Sequence, residues 1–409
     1  MPTPLLDALN RYATAAPLRM HMPGHKGTLS PIDLTELPPT GNLYQGGGAI
    51  GEAQDLWAEA TGFDHCLFLT NGSTAGIFAA LAAATKPGDH ILLDQDCHLA
   101  FHHAMAALDL HPHVLPRSFG EPLTAEVVAQ AMENQPNAKT ICITSPTYYG
   151  VLSNIGEISA AVHTRSGTLL VDGAHGAHLP FLLGREIYGG ADLLVFSAHK
   201  TLRALGQSAL LLSSSRFTHG DLRRSAQFFQ TSSPSYLLMA SLDEAREHMC
   251  GEGLVGYRRI AAWNRWSLGD PGRVVIHTDG LAWAAQLMEK GIFPELWNRD
   301  YVVFILTDSD SDADLARLEA EIVLAPPPLS PVTAQLNHRP VRYLSPREAL
   351  FSNRKTLPLD QTEGHIAAAV VAPYPPGIPV VSPGEALDKK TIAYLKEILY
   401  NEDVEVISS

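Results

Sequence analysis

Two segments of this 409-residue chain decide its fold: TLLVDGAHG, residues 168–176, and LLVFSAHK, residues 193–200. Each begins with a short, uninterrupted apolar run and passes directly into polar residues. Apolar runs of this length, without polar alternation, are typical of strands buried on both faces of a parallel sheet. We therefore predict that each segment starts as a buried strand, and that Asp172 and Lys200 follow the carboxyl ends of these two strands.

Similar apolar runs recur from residue 51 to residue 265 and alternate with helical patterns. The predicted strands are Cys66–Thr70, His90–Leu93, Thr140–Thr144, Thr168–Val171, Leu193–Phe196 and Ser208–Leu212. The predicted helices are Ser73–Ala84, His98–Leu108, Thr124–Asn134 and Ser235–His248. Buried strands separated by helices indicate an α/β fold whose mainly parallel central sheet is sandwiched by helices.

The pattern divides the chain into an N-terminal arm (1–50), a large domain (51–268) and a smaller α+β C-terminal domain (269–409). In the last part the predicted strands are Arg273–Thr278, Tyr301–Thr307 and Ile366–Val371, and the predicted helices are Ser311–Glu321 and a final one near Lys389–Leu399. A Pro-rich connection, Ala325–Pro331, lies between them. A chain of this length is expected to form one large domain and a smaller one.

The composition describes an acidic, well-packed globular chain with 45% hydrophobic residues, 18% charged residues and a formal net charge of −14. Nucleic-acid binders need a basic face, so nucleic acid is excluded as a partner. A negative charge is compatible with the attraction of small cations. The expected ligand is therefore a small molecule.

Cysteine usage and the apolar runs predict a cytoplasmic protein that does not enter a membrane. The four cysteines are far apart in the sequence: Cys66, Cys97, Cys142 and Cys250. We expect them to be free thiols in a reducing compartment. The N-terminus lacks the basic and apolar regions of a secretory signal. The longest apolar stretches, such as Ala79–Ala84, are much shorter than a membrane span.

Lys200 is a candidate covalent anchor for an aldehyde cofactor. In α/β sheets, ligands bind beyond the carboxyl ends of the strands, where Lys200 is expected. Such an amine needs a lowered pKa, to which His199 and Arg203 could contribute. A lysine after a strand is more often an ordinary surface charge, so the assignment depends on its companions.

The first companion is Asn71-Gly72-Ser73-Thr74-Ala75-Gly76, between a predicted strand and a predicted helix. Glycines let the backbone approach a phosphate, and a helix N-terminus supplies N–H donors and positive potential. Ser73 and Thr74 add hydroxyl donors. The segment matches neither the triphosphate nor the dinucleotide motif. The alternative is an ordinary helix N-cap at Ser73.

The second companion is Asp172, at the carboxyl end of a predicted strand. A buried carboxylate there would keep a pyridine nitrogen protonated, as an electron-sink cofactor requires. A helix cap or a metal ligand is the alternative. His175 and His178 are possible metal ligands, but no further acidic or cysteine group completes a set, so no metal site is predicted.

The third companion is His98, after another predicted strand in Asp94-Gln95-Asp96-Cys97-His98. Its imidazole could lie flat on a pyridine ring, and a helix-capping role is the alternative. Together these features place a phosphate loop, a stacking residue, a carboxylate and a lysine at successive strand ends. This set predicts a pyridoxal 5′-phosphate (PLP) enzyme with Lys200 as the cofactor lysine.

The chain resembles the ornithine/lysine/arginine decarboxylases of the aspartate-aminotransferase fold, which are fold-type I PLP enzymes. The resemblance covers most of the chain and rests on His21–Lys26, Asn71–Gly76, Ser145–Gly150, Asp172–His178, Ser197–Lys200, Thr231–Leu238, Ala240–Asp243, Pro373–Pro379 and Pro383–Glu385. The last two blocks are the most distinctive. The chain is similar to a short form that lacks the N-terminal wing domain of the large members.

The resemblance implies a role for each matching residue. The cofactor phosphate would be held by Gly72, Ser73, Thr74, Ser197 and His199. His98 would stack on the ring, Asp172 would pair with the pyridine nitrogen, and Lys200 would bind the aldehyde. The ring edge near the phenolic oxygen would be lined by Thr147 and His175. The loop that carries Ser232 would approach the cofactor of a neighbouring subunit. A homodimer or a higher homo-oligomer with shared active sites is therefore implied.

Three positions depart from the usual family pattern: Gly173 where glutamate is usual, Leu99 where lysine is common, and Ala369 where the arginine-type branch tends to carry glutamate. The residues expected to bind the cofactor are all retained. The sequence does not decide whether arginine, lysine or ornithine is the substrate.

The implied reaction is α-decarboxylation of a small cationic amino acid to an amine and CO₂, as in polyamine biosynthesis. Lys200 or His199 would return a proton to Cα as general acid, with Asp172 supporting the electron sink. The sequence shows no evident cationic clamp for the departing carboxylate, although Arg203 or Arg354 could be brought in by folding. The alternatives are another PLP reaction, such as transamination or elimination, and a weakly active PLP-binding regulatory homologue.

Overall fold

The structure is a computed structural model that describes residues 2–328, 340–373, 377–398 and 403–408. The Pro-rich connection at Ala325–Pro331, the Pro373–Pro379 block and the end of the helix at Lys389–Leu399 lie partly outside the described residues.

The elements follow one another in the order strand, helix, strand through most of the first 260 residues. The strands are β1 (His65–Leu69), β2 (His90–Asp94), β3 (His111–Leu115), β4 (Thr140–Thr144), β5 (Thr168–Asp172), β6 (Leu193–Phe196), β7 (Ala209–Ser213), β8 (Arg273–His277), β9 (Leu296–Trp297), β10 (Tyr301–Ile305), β11 (Arg354–Leu357) and β12 (Val404–Ile407). The helices are α1 (Pro4–Thr14), α2 (Gly48–Thr61), α3 (Gly72–Ala84), α4 (Leu99–Leu108), α5 (Ala125–Asn134), α6 (Ile155–His163), α7 (Leu179–Leu183), α8 (Ala198–Thr201), α9 (His219–Ala226), α10 (Tyr236–Met249), α11 (Glu252–Trp263), α12 (Gly280–Glu289), α13 (Asp312–Val323), α14 (Pro346–Phe351) and α15 (Lys389–Glu397), with 3₁₀ turns at Arg185–Tyr188 and Leu359–Gln361.

The central sheet has seven strands in the order β1-β7-β6-β5-β4-β2-β3. The strands β6, β5, β4, β2 and β3 pair in parallel, whereas β7 is antiparallel to both of its neighbours. The predicted α/β fold with a mainly parallel sheet is therefore confirmed. The edge strand β3 was not predicted, because its sequence His-Pro-His-Val-Leu is polar and only Leu115 in it is buried.

The N-terminal segment packs on the core of the large sheet. Leu5, Leu9, Leu34 and Leu43 are buried in the same hydrophobic cluster as the central strands. Asp243 in α10 accepts hydrogen bonds from the backbone N–H groups of Leu5 and Leu6, at 2.9 and 3.3 Å. These contacts satisfy donors that the first turn of α1 leaves without intrahelical partners.

The C-terminal part contains two further hydrophobic clusters. One surrounds the antiparallel sheet β8-β10-β9 with α12 and α13, and the other surrounds the β11–β12 pair with α15. The prediction of a strand at Ile366–Val371 is wrong. Isolated bridges link Ile366, Ala367 and Val371 to Ala386, Val406 and Val381 in turn, so this partly buried apolar run forms no continuous ladder.

None of the helices in the described ranges is long and apolar enough to cross a membrane.

The carboxyl ends of the central strands gather the predicted site residues. Asp172 pairs with Val195 in the register of β5 and β6, so the loops after these adjacent strands leave the same edge of the sheet. The N-terminus of α3 meets the loop after β6, because the N–H of Gly72 donates to the carbonyl of Gln207 at 3.0 Å. The sheet thus brings the three segments with Gly72, Asp172 and Lys200 to one place.

Candidate active site

Lys200 lies in the short helix α8, directly after β6, and its amine contacts His175. The Lys200 Nζ and His175 Nε2 atoms are 3.1 Å apart. Burial lowers the pKa of Lys200; the Asp172 carboxylate opposes this shift, and the Arg273 guanidinium adds to it. The neighbouring cation is therefore Arg273. Arg203, expected from the sequence to help lower this pKa, is exposed to solvent.

Arg273 determines which nitrogen of His175 carries its proton. The Nη2 group of Arg273 donates a hydrogen bond to His175 Nδ1. A guanidinium can only donate, so Nδ1 must accept and a neutral His175 carries its hydrogen on Nε2. Burial lowers the pKa of His175 well below its usual value, which keeps the ring neutral. The Nε2–H then faces the Lys200 amine, which can accept it only when deprotonated, and the deprotonated amine is the form that attacks an aldehyde.

Replacing Arg273 by methionine should raise the pKa of Lys200. The substitution removes the cation and frees His175 Nε2 to accept from an ammonium. Loss of a hydrogen bond to a charged group is worth about 1.5–3 kcal/mol, so the pH of half-maximal Lys200 labelling should rise by about 1–2 pH units. The measurement is the pH dependence of labelling of Lys200 by an amine reagent in the cofactor-free full chain, read by peptide mass spectrometry.

The exposed Arg258 provides the matched control, Arg258→Met, which should leave the midpoint unchanged. Arg273→Lys retains the cation and one donor and should give a smaller shift. An unchanged midpoint in a folded Arg273→Met protein would show that Arg273 does not control the Lys200 amine.

Asp172 ends β5 and is 2% exposed. Its Oδ1 atom accepts a hydrogen bond from the N–H of Ala174 at 3.0 Å. Burial raises the pKa of Asp172, and the nearby Lys200 counteracts that shift. A buried carboxylate with a raised pKa is stabilised by any cationic ring nitrogen placed against it.

His98 is the N-cap residue of α4, because its Nδ1 atom accepts a hydrogen bond from the N–H of Ala100 at 3.2 Å. The helix-capping role, which was the alternative for His98 in the sequence, is therefore observed. Burial and the charge of Lys200 lower the pKa of His98 to about 4, so the ring is neutral. Capping uses one edge of the imidazole and leaves its face available to stack on a flat ligand.

The start of α3 presents backbone donors that no side chain caps. The N-cap residue is Asn71, which makes no side-chain cap hydrogen bond, so the alternative of Ser73 as the N-cap is wrong. Instead, the Asn71 side chain accepts from the N–H of Thr231 at 3.3 Å. Gly72 adopts a left-handed conformation with φ of +75°, and Ser73 and Thr74 lie in the first turn. Backbone N–H groups that no side chain caps, with neighbouring hydroxyls, suit a phosphate.

Ser197 and His199 lie beside this helix end. The His199 Nδ1 atom is 3.1 Å from the carbonyl of Ser208 and 3.4 Å from the hydroxyl of Ser197. A carbonyl only accepts, so Nδ1 carries the hydrogen and the other ring nitrogen, Nε2, is left for another partner. Burial lowers the pKa of His199.

Thr147 and Ser232 are not brought to Lys200 by any contact within the described residues. The hydroxyl of Thr147 accepts from the N–H of Val151 at 3.1 Å and closes a turn after β4. Ser232 is exposed in the loop before α10. Their predicted roles toward the cofactor stay predictions.

Gly173 has a steric reason to be glycine in this chain. A Cβ atom there would lie 2.8 Å from the side chains of both Leu194 and Phe196. The large Phe196 side chain thus occupies the space that a residue larger than glycine would need. At the other two departures, Leu99 begins α4 and Ala369 is half-buried, and the structure does not explain either substitution.

Two arginines lie near the strand ends although no motif in the sequence predicts this position. Arg117 forms a fully buried ion pair with Asp94 at 2.8 Å and donates to Ser153 at 2.6 Å. Arg273 comes from β8, far along the chain from His175. Arg354, considered as a possible clamp, pairs instead with Glu405 at 3.0 Å. These arginines share no sequence spacing with the strand-end motifs, so only folding places them near the site.

The seven-stranded sheet with Lys200 after β6 defines the fold of the fold-type I PLP-dependent enzymes. The Francisella novicida lysine decarboxylase LdcF has the same fold, with a TM-score of 0.80, 19% identity, and coverage of 99% of this chain and 81% of that one. Sphingomonas wittichii serine palmitoyltransferase shares it more distantly, with a TM-score of 0.57, 16% identity, and coverage of 78% and 82%.

Sequence comparisons show to which family within this fold the chain belongs. The profile of "Orn/Lys/Arg decarboxylase, major domain" matches residues 27–262, and that of the corresponding C-terminal domain matches residues 333–403. The arginine decarboxylase of Bacillus subtilis (strain 168) is 30% identical, over 96% of this chain and 93% of that protein. The chain belongs to the Orn/Lys/Arg decarboxylase family, and this membership identifies it as an amino-acid decarboxylase.

Proposed function

We propose that this chain uses PLP to remove the α-carboxylate of arginine, lysine or ornithine, giving CO₂ and the corresponding amine. The observation that carries the proposal is the 3.1 Å contact of the Lys200 amine with His175, beside the buried Asp172 carboxylate. The family and the similarity to an arginine decarboxylase support a basic amino acid as substrate.

The residues present fit this cofactor. The uncapped donors at the start of α3 suit its phosphate, together with Ser73, Thr74, Ser197 and His199. His98 offers a neutral ring face, Asp172 a carboxylate for the pyridine nitrogen, and Lys200 an amine whose pKa burial lowers. When bound, PLP supplies an electron sink for the pair left behind at Cα by the departing CO₂.

The chain's own groups then have separate tasks. Asp172 holds a proton on the ring nitrogen, because the pair of opposite charges offsets the cost of burial. Lys200 or His199 delivers the proton that replaces the carboxylate at Cα. His175 is hydrogen-bonded to Lys200 and oriented by Arg273, so we propose that it holds the Lys200 amine in position between these steps.

We further propose a cytoplasmic homodimer. Ser232 is exposed and no hydrogen bond among the described residues links it to Lys200, as expected if it contacts the cofactor of a second subunit. The Tyr44 hydroxyl donates to the carbonyl of Thr231 at 2.7 Å and holds the loop against the same chain.

The test is to incubate the PLP-loaded protein with arginine, lysine, ornithine and the neutral norleucine, and to measure CO₂ and amine release. One basic amino acid should give equal amounts of both products, and norleucine should give little of either. PLP-loaded protein that releases no amine from any basic amino acid would falsify the decarboxylase proposal for these substrates.

A further inference from the structure

Glu295 is a solvent-exposed acidic side chain that contacts the candidate active site through Tyr148. The Tyr148 hydroxyl donates to Glu295 Oε1 at 2.6 Å. The Tyr148 ring meets the His175 ring edge-on, with the centroids 5.0 Å apart, and His175 contacts Lys200. A continuous series of contacts therefore leads from the Lys200 amine to the Glu295 carboxylate.

The backbone around Glu295 is held firmly, although its side chain is exposed. Its N–H donates to the carbonyl of Val303 in β10 at 3.0 Å. The next residue, Leu296, is 4% exposed and begins β9, which pairs with β10. Tyr148 is positioned too, because its carbonyl accepts from Arg273 Nε at 3.2 Å. This support preorganises the carboxylate.

Glu295 differs from the other charges near Lys200 in being accessible. The charged groups whose fields act on the Lys200 amine are Asp172, Arg273 and Glu295. Asp172 and Arg273 are 2% and 1% exposed, and each already has a hydrogen-bond partner within the site. Among the described residues, Glu295 Oε2 receives no hydrogen bond. It is thus the acid that an incoming molecule can reach.

The geometry points to Glu295, oriented by Tyr148, as the group that binds the distal ammonium or guanidinium of the substrate while its α-carbon lies at Lys200. The inference rests on the proposed function and names the residue that selects a cationic side chain. A carboxylate is the natural partner of such a cation, and the Tyr148 ring between the two ends offers an apolar surface to the connecting methylenes.

The test compares Glu295→Gln with the wild type in the PLP-loaded protein, using the basic amino acid that is turned over best. Removing the charge should raise KM by about 10- to 100-fold, the loss expected for a charge-assisted hydrogen bond. The value of kcat should change little, because this contact is present equally in the ground state and the transition state. Tyr148→Phe should raise KM less.

The exposed Glu289 at the end of α12 gives the matched control, Glu289→Gln, which should behave as the wild type. A substrate with a neutral side chain, norleucine, should show no change in KM with Glu295→Gln. If KM rises equally for norleucine, or does not rise for the basic amino acid, Glu295 does not bind the distal cation.

A binding measurement separates this inference from the proposed reaction. Calorimetry with the PLP-loaded protein compares 1,5-diaminopentane and agmatine with the monocation pentylamine. The wild type should bind at least one dication about 10- to 100-fold more tightly than pentylamine, and Glu295→Gln should lose that preference. If the wild type decarboxylates nothing yet shows this preference, the proposed reaction fails and the cation site stands. If the preference survives Glu295→Gln, the cation site is wrong.

Discussion

Replacing Lys200 by alanine should abolish the borohydride-reducible link between PLP and the chain and reduce amine release by about 10⁴-fold or more, the scale seen when a covalent catalytic group is removed. Lys200 combines a strand-end position with burial, a lowered pKa and a hydrogen bond from His175. The lowered pKa favours the neutral amine, which is the form that attacks an aldehyde. The measurement is peptide mass spectrometry after reduction, together with the rate of amine release.

The exposed Lys86 supplies the control, since Lys86→Ala removes a surface lysine without touching the site. It should keep both the reducible link and the activity. If the Lys200→Ala protein still becomes linked to PLP after reduction, another lysine is the anchor and the assignment of the whole site is wrong.

Replacing Asp172 by asparagine should leave PLP bound but lower turnover by about 10³- to 10⁴-fold, which corresponds to about 4–5 kcal/mol of barrier. Asparagine has the same shape and can keep the hydrogen bond from Ala174, but it carries no charge to hold a proton on a ring nitrogen. The measurements are the amount of PLP bound and kcat for the preferred substrate.

Asp109, at the far end of α4, provides the control substitution Asp109→Asn. It adopts a left-handed conformation that asparagine tolerates well, and it should leave kcat unchanged. Near-normal turnover of the Asp172→Asn protein would remove Asp172 from the role proposed for it.

The strands that build the site were predictable because burial on both faces leaves a direct trace in the sequence. The apolar runs that end at Asp172 and before Lys200 form β5 and β6 as expected. The edge strand β3 left no such trace, since only Leu115 in it is buried. The apolar run at 366–371 does not form a strand, although Ala367, Ala368 and Val371 in it are buried, because it makes only isolated bridges.

The sequence by itself determined that Asp172, His98, Ser73 and Lys200 would meet at one edge of the sheet, because parallel strands place their carboxyl ends together. Only the tertiary structure decided the direction in which the pKa of Lys200 shifts. Burial lowers it first, Asp172 opposes that shift, and Arg273, which contacts His175 from β8, adds to it. Likewise, Glu295 comes close to Lys200 only after folding. Periodicity along a chain reports which side chains are buried, whereas hydrogen bonds and fields act through space between segments far apart in sequence.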